Sequence, residues 1–317
     1  MKREQVTHQP VVLVFGAINQ DEVARVDRHP LPGETVVTDT INVYQGGKGA
    51  NQAFAAAIAG AGVTVVRMVG AIGDDAAGDA ALDSLHSVGV DTTLVKQVSG
   101  RPTGRAYITV TEDGQNSIVV GLGANAFVSP TNLVAAQRAD VAIAQTELGA
   151  AATEALAAFA RSCGARLIIN DGPVVSLSAD TLELADPLIV NQHEAADLLG
   201  DPVDHVGPER LATLLMGQLG SRSLVVTLGG DGCVIADGHG VRRVAAVKAE
   251  RVVDTTGAGD TFVGALAASL ALDPDLDLAV TRAAEAAAHS VAWPGARPPL
   301  SAFAGGPIAR NPAKAVR

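Results

Sequence analysis

The stretch Val252-Val253-Asp254-Thr255-Thr256-Gly257-Ala258-Gly259-Asp260-Thr261-Phe262 passes from a β-branched, strand-like end through a turn of small residues straight into an apolar helix. Small residues let the backbone approach a ligand closely, and the first amides of the helix point unpaired N–H groups at it. Such a turn makes an anion hole for phosphate oxygens, or for charge that develops during phosphoryl transfer. Asp260, on the first helical turn, is open to two readings. It can complement the positive end of the helix dipole. Set beside a substrate hydroxyl, it can instead accept the proton as that oxygen attacks phosphorus. The chain contains no G-x-x-x-x-G-K-[ST] loop and no Rossmann glycine fingerprint, so neither common nucleotide motif explains the turn.

Outward from this stretch, apolar β-branched runs alternate with alanine-rich segments. Strands are predicted at Val11–Phe15, Val63–Val69, Val141–Gln145, Leu167–Asn170, Leu188–Val190 and Leu224–Leu228. Helices are predicted at Gly49–Ala59, Ala76–Val88, Ala150–Ser162, His193–Leu199, Pro208–Leu219, Ala258–Leu272 and Leu278–Ala292. The alternation predicts an α/β fold, a mostly parallel central sheet with helices on both faces. Glu34–Tyr44 and Gly104–Val120 break the pattern, being β-rich without a following helix, with a turn at Glu112–Gln115. They read either as a small inserted sheet that covers a pocket or as an ordinary edge hairpin. No linker or internal repeat divides the 317 residues.

Composition narrows the function classes. The net charge of −11 and the lack of a Lys/Arg run argue against a broad nucleic-acid surface. The polar start leads into an apolar run too short for a signal or membrane segment, so a cytoplasmic protein without a membrane partner is expected. Cys163 and Cys233 lack metal-ligand spacing and read as incidental thiols of a reducing compartment. Only nine aromatics are present (one Trp, two Tyr, six Phe), which disfavours a ligand that needs stacking on several rings.

Four further clusters carry candidate chemistry. Gly46-Gly47-Lys48-Gly49-Ala50-Asn51-Gln52-Ala53 is a second Gly-rich turn that opens a helix, with Lys48 and Asn51 as donors on one side of its first turn. A solvated Lys and a capping Asn would fit equally. Asn19 and Asp21 follow the first strand, where open α/β sheets collect ligands, though turn-forming residues are ordinary there too. Glu147 stands in the same relation to the Val141–Gln145 strand. Asn191 and Glu194, one turn apart, either organise magnesium-bound water or form a helix cap. Thr227-Leu228-Gly229-Gly230-Asp231-Gly232 ends a strand in a flexible turn suited to phosphate or ribose contact.

In combination these pieces resemble the ribokinase-like (PfkB-type) sugar kinases from about Val11 to Pro299. Gly46–Asn51 corresponds to the family's first signature, Asp254–Asp260 to its second, and Asn191-x-x-Glu194 to its N-x-x-E motif. Gly16-Ala17-Ile18-Asn19-x-Asp21, Pro32-Gly33-Glu34-Thr35 and Gly123-Ala124-Asn125-Ala126 are most similar to members that phosphorylate ribose.

The resemblance implies one kinase domain over residues 1–317, with lid segments at about 34–44 and 104–120, and ATP-dependent phosphorylation of a primary hydroxyl. D-ribose, giving ribose 5-phosphate, is the expected sugar. Another pentose, a hexose or a nucleoside are the alternatives on the same fold, and a non-catalytic sugar binder is the alternative from another class. Asn19, Asp21, Gly47, Lys48, Asn51 and Glu147 would hold the sugar. Asp260 would be the base, and Gly257, Ala258 and Gly259 the anion hole. Thr227, Gly229, Gly232 and Gly259 would contact the nucleotide, while Asn191 and Glu194 would organise Mg2+ and phosphates. Asp254 and the carbonyl of Thr256 match two ligands of a monovalent cation, usually K+, whose other ligands would come from Val291–Pro299. There the sequence departs from the family: Ala292-Trp293-Pro294-Gly295 is unusual and Pro299 replaces a common Ser. Arg105 and Tyr107 in the lid are also atypical. A homodimer through the lid is the implied assembly.

Overall fold

The computed structural model describes residues 9–200 and 206–299. In chain order its elements are β1 (Val11–Phe15), β2 (Asn19–Arg25), β3 (Ile41–Gly46), α1 (Lys48–Ala59), β4 (Val65–Gly73), α2 (Ala76–Ser87), β5 (Asp91–Val98), β6 (Gly104–Val110) and β7 (Asn116–Gly121). There follow α3 (Thr131–Val134), β8 (Val141–Gln145), α4 (Ala150–Cys163), β9 (Arg166–Asn170), α5 (Ala179–Leu182), β10 (Ala185–Asn191), α6 (Gln192–Leu199) and α7 (Pro208–Leu219). The last are β11 (Leu224–Thr227), β12 (Cys233–Asp237), β13 (Gly240–Val244), α8 (Ala258–Leu272) and α9 (Leu276–Ser290).

Nine strands form the main sheet in the order β13-β12-β11-β10-β9-β8-β1-β4-β5, parallel throughout except at the β11-β12-β13 edge. The reason its central strands read as unbroken apolar runs is visible in their alternation. Val12, Val14, Ile143, Ile168, Ile189 and Val225 enter one core with α1, α8 and α9. Their neighbours Leu13, Phe15, Ala144, Ile169, Val190 and Val226 enter a second core with α4 and α7. Both faces of every central strand are thus dry, as a parallel sheet requires.

The inserted segments form a separate four-stranded sheet, β3-β2-β6-β7, and not an edge hairpin of the main one. Its boundaries differ from those expected. Residues 34–40 lie outside any strand, after the Pro32-Gly33 turn, and the strand begins at Ile41. Gly104–Val120 splits into β6 and β7 about the turn closed by Thr111 N–H to Gln115 O. At the centre of this sheet lies β2, expected only as a ligand-facing turn. Its sequence Asn-Gln-Asp-Glu-Val-Ala-Arg is too polar to read as a strand, and pairing with β3 on one side and β6 on the other makes it one. Edge strands β5 and β13 were missed for a similar reason, since half-exposed edges carry little apolar pattern.

Among the described residues, no helix is long and apolar enough to cross a membrane.

Candidate active site

The site forms where the N-termini of α1 and α8 meet above the carboxyl ends of β1, β8 and β9. Gly257 precedes α8 in the left-handed region (φ 73°), and a Cβ there would lie 2.5 Å from the Cβ of Ala296. Only glycine takes that backbone beside that neighbour without strain. Four residues from Asp260 along the same helix, Gly264 lets α8 sit directly on α1: its Cβ would come within 2.3 Å of Gln52 O and 2.8 Å of Ala55 Cβ. This close approach brings Asp260 to the first turn of α1.

Asp260 is buried, and both of its carboxylate oxygens accept from side-chain amides. Asn51 Nδ2 donates to Oδ2 and Gln52 Nε2 to Oδ1, each at 3.0 Å. Gln52, itself fully buried, also donates to Asn170 Oδ1 at 3.0 Å and accepts from Gln145 Nε2 at 2.6 Å. The base candidate is therefore oriented by a buried amide chain that reaches β8 and β9.

Around it stand the other residues expected to hold a sugar. Asn19 opens β2, and its Oδ1 accepts from Asn125 Nδ2 at 2.8 Å. Asn125 is pinned in turn to the backbone of Ile18 at 3.0 and 3.1 Å. With its oxygen so used, Asn19 keeps its amide N–H groups for a ligand. Asp21 lies next along β2, against Gly46 at the end of β3. Gly47 caps α1, and Lys48 begins it, its backbone N–H donating to Glu147 Oε2 at 2.9 Å from the short turn after β8.

At the other end, Asn191 and Glu194 form a reciprocal capping box at the start of α6: Glu194 N–H to Asn191 Oδ1 at 2.8 Å, and Asn191 N–H to Glu194 Oε2 at 2.7 Å. Thr227 ends β11, and Gly229 and Gly232 flank the turn closed by Leu228 N–H to Gly232 O at 2.8 Å. Asp254 accepts from Thr256 N–H and from Gly295 N–H, both at 2.9 Å, tying the turn before α8 to the C-terminal loop. Partial burial opposes its charge, but these bonds and the Thr256 hydroxyl hold it below the ordinary carboxylate range. Arg105 is turned to Glu22 on β2 at 3.1 Å and to Asp75 at the start of α2 at 4.0 Å, while Tyr107 lies half exposed on the small sheet.

Residues 9–302 match the family model described as pfkB family carbohydrate kinase. The chain belongs to this family. The kinase is 33% identical over 295 residues to a ribokinase of Schizosaccharomyces pombe (90% of this chain, 93% of that one) and 36% identical over 273 residues to a ribokinase of Mus musculus (84% of each). It spans about half the length (49%) of a bifunctional ribokinase/ribose-5-phosphate isomerase A of Fructilactobacillus sanfranciscensis, at 36% identity over 272 residues. Among solved structures, an Arabidopsis thaliana ribokinase complexed with ribose and ATP superposes with a TM-score of 0.81 at 29% identity, covering 92% of this chain and 95% of that one.

The electrostatics of the kinase follow from crowding carboxylates around two cations. Burial, then the charge of Asp260, pushes Glu147 up to about 7. Burial raises Asp21 to about 6, with Arg297 opposing and Asp260 adding to the shift. Burial works against the Lys48 charge, yet Asp260, Glu147 and Glu194 outweigh it and hold the ammonium above its ordinary value. Glu194 is raised chiefly by burial.

Because Glu147 ionises near 7 in the folded chain against an ordinary 4.5, its stabilising contribution is complete below about pH 4.5 and lost as the pH rises through 7. Glu147→Gln keeps an acceptor for Lys48 N–H. It is expected to raise Tm at pH 8 by about 2–6 °C, for about 1–2 kcal/mol, with the gain vanishing toward pH 4.5. Calorimetry across that range checks it, and an unchanged Tm at pH 8 contradicts it.

Three contributors had no role read from the sequence. Gln52 sat just beyond the first signature, inside the Gly46–Ala53 turn, with no chemistry attached, although its place one residue past Asn51 could have suggested one. Asn125 lies on a short 3-10 turn (Gly123–Phe127) more than a hundred residues from its partner Asn19. Arg297, in the Pro/Gly-rich tail, donates from Nε to Asn51 Oδ1 at 2.9 Å and from a terminal nitrogen to Gly46 O at 2.9 Å. Burial lowers its guanidinium to about 10, so it stays charged at neutral pH.

Proposed function

We propose that this kinase is a cytoplasmic enzyme that transfers the γ-phosphoryl group of ATP to the primary hydroxyl of D-ribose, giving ribose 5-phosphate and ADP. The observation that carries the reading is the Asp260 carboxylate, held by Asn51 and Gln52 on the first turn of a helix that opens at Gly257. Ribose as the acceptor is supported by the likeness to ribokinases, one of them complexed with ribose and ATP.

In this reading Asn19, Asp21, Gly47, Lys48, Asn51 and Glu147 orient the sugar. Asp260 takes the proton of its terminal hydroxyl as the new O–P bond forms in line with the breaking bond to ADP. The amides of Gly257, Ala258 and Gly259 face the charge that develops on the transferred group, the Ala258 N–H being shared with Thr255 O at 3.2 Å, and Lys48 adds its own positive charge. Thr227, Gly229 and Gly232 contact the nucleotide.

Magnesium bound with ATP would neutralise phosphate charge. Glu194 fits it through water, because its Oε1 is not used by the capping box. A monovalent cation would strengthen the field at the anion hole. Asp254 fits it, being held below the ordinary carboxylate range with a lone-pair site left over after its three hydrogen bonds, together with the Thr256 carbonyl.

A panel of pentoses, hexoses and nucleosides with ATP-Mg2+, with and without K+, tests the reading. Ribose is expected to give the highest kcat/KM, raised by K+. A nucleoside or hexose preferred over ribose overturns the substrate, and no phosphoryl transfer to any of them overturns the enzyme.

The small sheet also bears on assembly. Ile41, Val43, Tyr107, Ile118, Val119 and Val120 are all about half exposed or more, and β7 is exposed along its whole length. That much apolar surface on one thin sheet supports a homodimer paired through the lid. Light scattering should give twice the chain mass, and Val119→Lys should shift it toward the monomer.

A further inference from the structure

We propose that Arg297 is a positioning residue of the active site, fixing which end of the Asn51 amide faces Asp260. The inference rests on the reading of Asp260 as the base.

A guanidinium carries five N–H donors and no acceptor, whereas a side-chain amide carries an acceptor at one end and donors at the other. Arg297 uses three nitrogens on three separate elements. Its Nε meets Asn51 Oδ1 on α1 at 2.9 Å, one terminal nitrogen meets Gly46 O at the end of β3 at 2.9 Å, and the other meets Ser84 Oγ on α2 at 3.1 Å. Its plane lies beside the Phe54 ring, 5.8 Å from the centroid. Held at three points, the group cannot turn to offer Asn51 anything but N–H.

Asn51 therefore presents its oxygen to Arg297 and its nitrogen to Asp260, where Nδ2 lies 3.0 Å from Oδ2. The opposite orientation would set the amide oxygen against an ionised carboxylate and the amide N–H groups against a cation, two contacts with no proton between acceptors and no acceptor between donors. Gln52 needs no such guard, because Gln145 and Asn170 already fix its two ends. Among the described residues, Arg297 is thus the cation bonded to the oxygen end of the amide whose nitrogen end meets the base.

The test is a double-mutant cycle on the full chain, with kcat and KM for ribose measured for the unmodified kinase, Arg297→Met, Asn51→Ala and the double variant. With Asn51 present, Arg297→Met is expected to lower kcat by about 10- to 100-fold, the scale of a misplaced reacting group. With Asn51→Ala in place the same change is expected to cost no more than about threefold, since nothing is left to orient. Arg297→Lys, which keeps the charge and can reach one acceptor, should recover part of the loss. Equal losses in both backgrounds overturn the proposal, as does a lower Tm with kcat unchanged. If Arg297→Met does not fold, Arg297→Lys measured in both backgrounds completes the cycle by the same criterion. Failure of the base assignment would show separately, as turnover retained by Asp260→Asn.

Discussion

Asp260→Asn is expected to lower kcat by roughly a thousandfold while leaving the ribose Kd within a few-fold of that of the unmodified kinase. The size follows from what is removed. A positioned general base is worth about 10²- to 10⁴-fold, and Asp260 has both oxygens oriented by buried side-chain amides. The substituted amide matches the shape of the carboxylate but cannot take a proton. It also sets an N–H against the donor of either Asn51 or Gln52, a local mismatch that accounts for the modest change in binding. Quenched-flow measurement of a single turnover, with ribose binding followed by calorimetry, separates the two effects. Near-normal kcat would sink the assignment of the base.

Gly257→Val carries the second largest effect, a fall in kcat of about 100- to 1000-fold, comparable to the loss of an oxyanion-hole donor. Two independent obstacles act at this position. The backbone sits at φ 73°, which a β-branched residue avoids, and the added Cβ would stand 2.5–2.9 Å from Cβ, Cα and O of Ala296. Either the start of α8 or the C-terminal loop has to shift, and both bear on the anion hole. Gly257→Ala meets the same Cβ contacts with a smaller side chain and should fall between the two. Steady-state kinetics with a thermal scan on each variant checks the order, and a Gly257→Val enzyme within threefold of normal kcat would contradict it.

Much of the site was legible because its pieces are contiguous. A glycine turn that opens a helix needs only its own few residues, so Gly46–Ala53 and Asp254–Asp260 could be recognised in place, as could the Asn191–Glu194 spacing of a capping box. The central strands were legible because burial on both faces leaves unbroken apolar runs. The polar strand β2 was not, since what makes it a strand is the partner on each side. Arg297 was not either: 246 positions separate it from Asn51, and no periodicity spans that distance.

By itself, then, the sequence determined the helix starts, the glycines that permit them and the presence of a carboxylate on the first turn of α8. These are settled by local φ/ψ preference and by amides left unpaired at a helix end. Only the tertiary structure decided which groups meet that carboxylate. Asn51 and Gln52 reach Asp260 across 209 and 208 positions because Gly264 lets two helices touch. Arg297 reaches Asn51 because the C-terminal loop folds back over the start of α1. Side-chain direction across a packed interface depends on shapes that lie far apart in the chain, and packing alone brings them together.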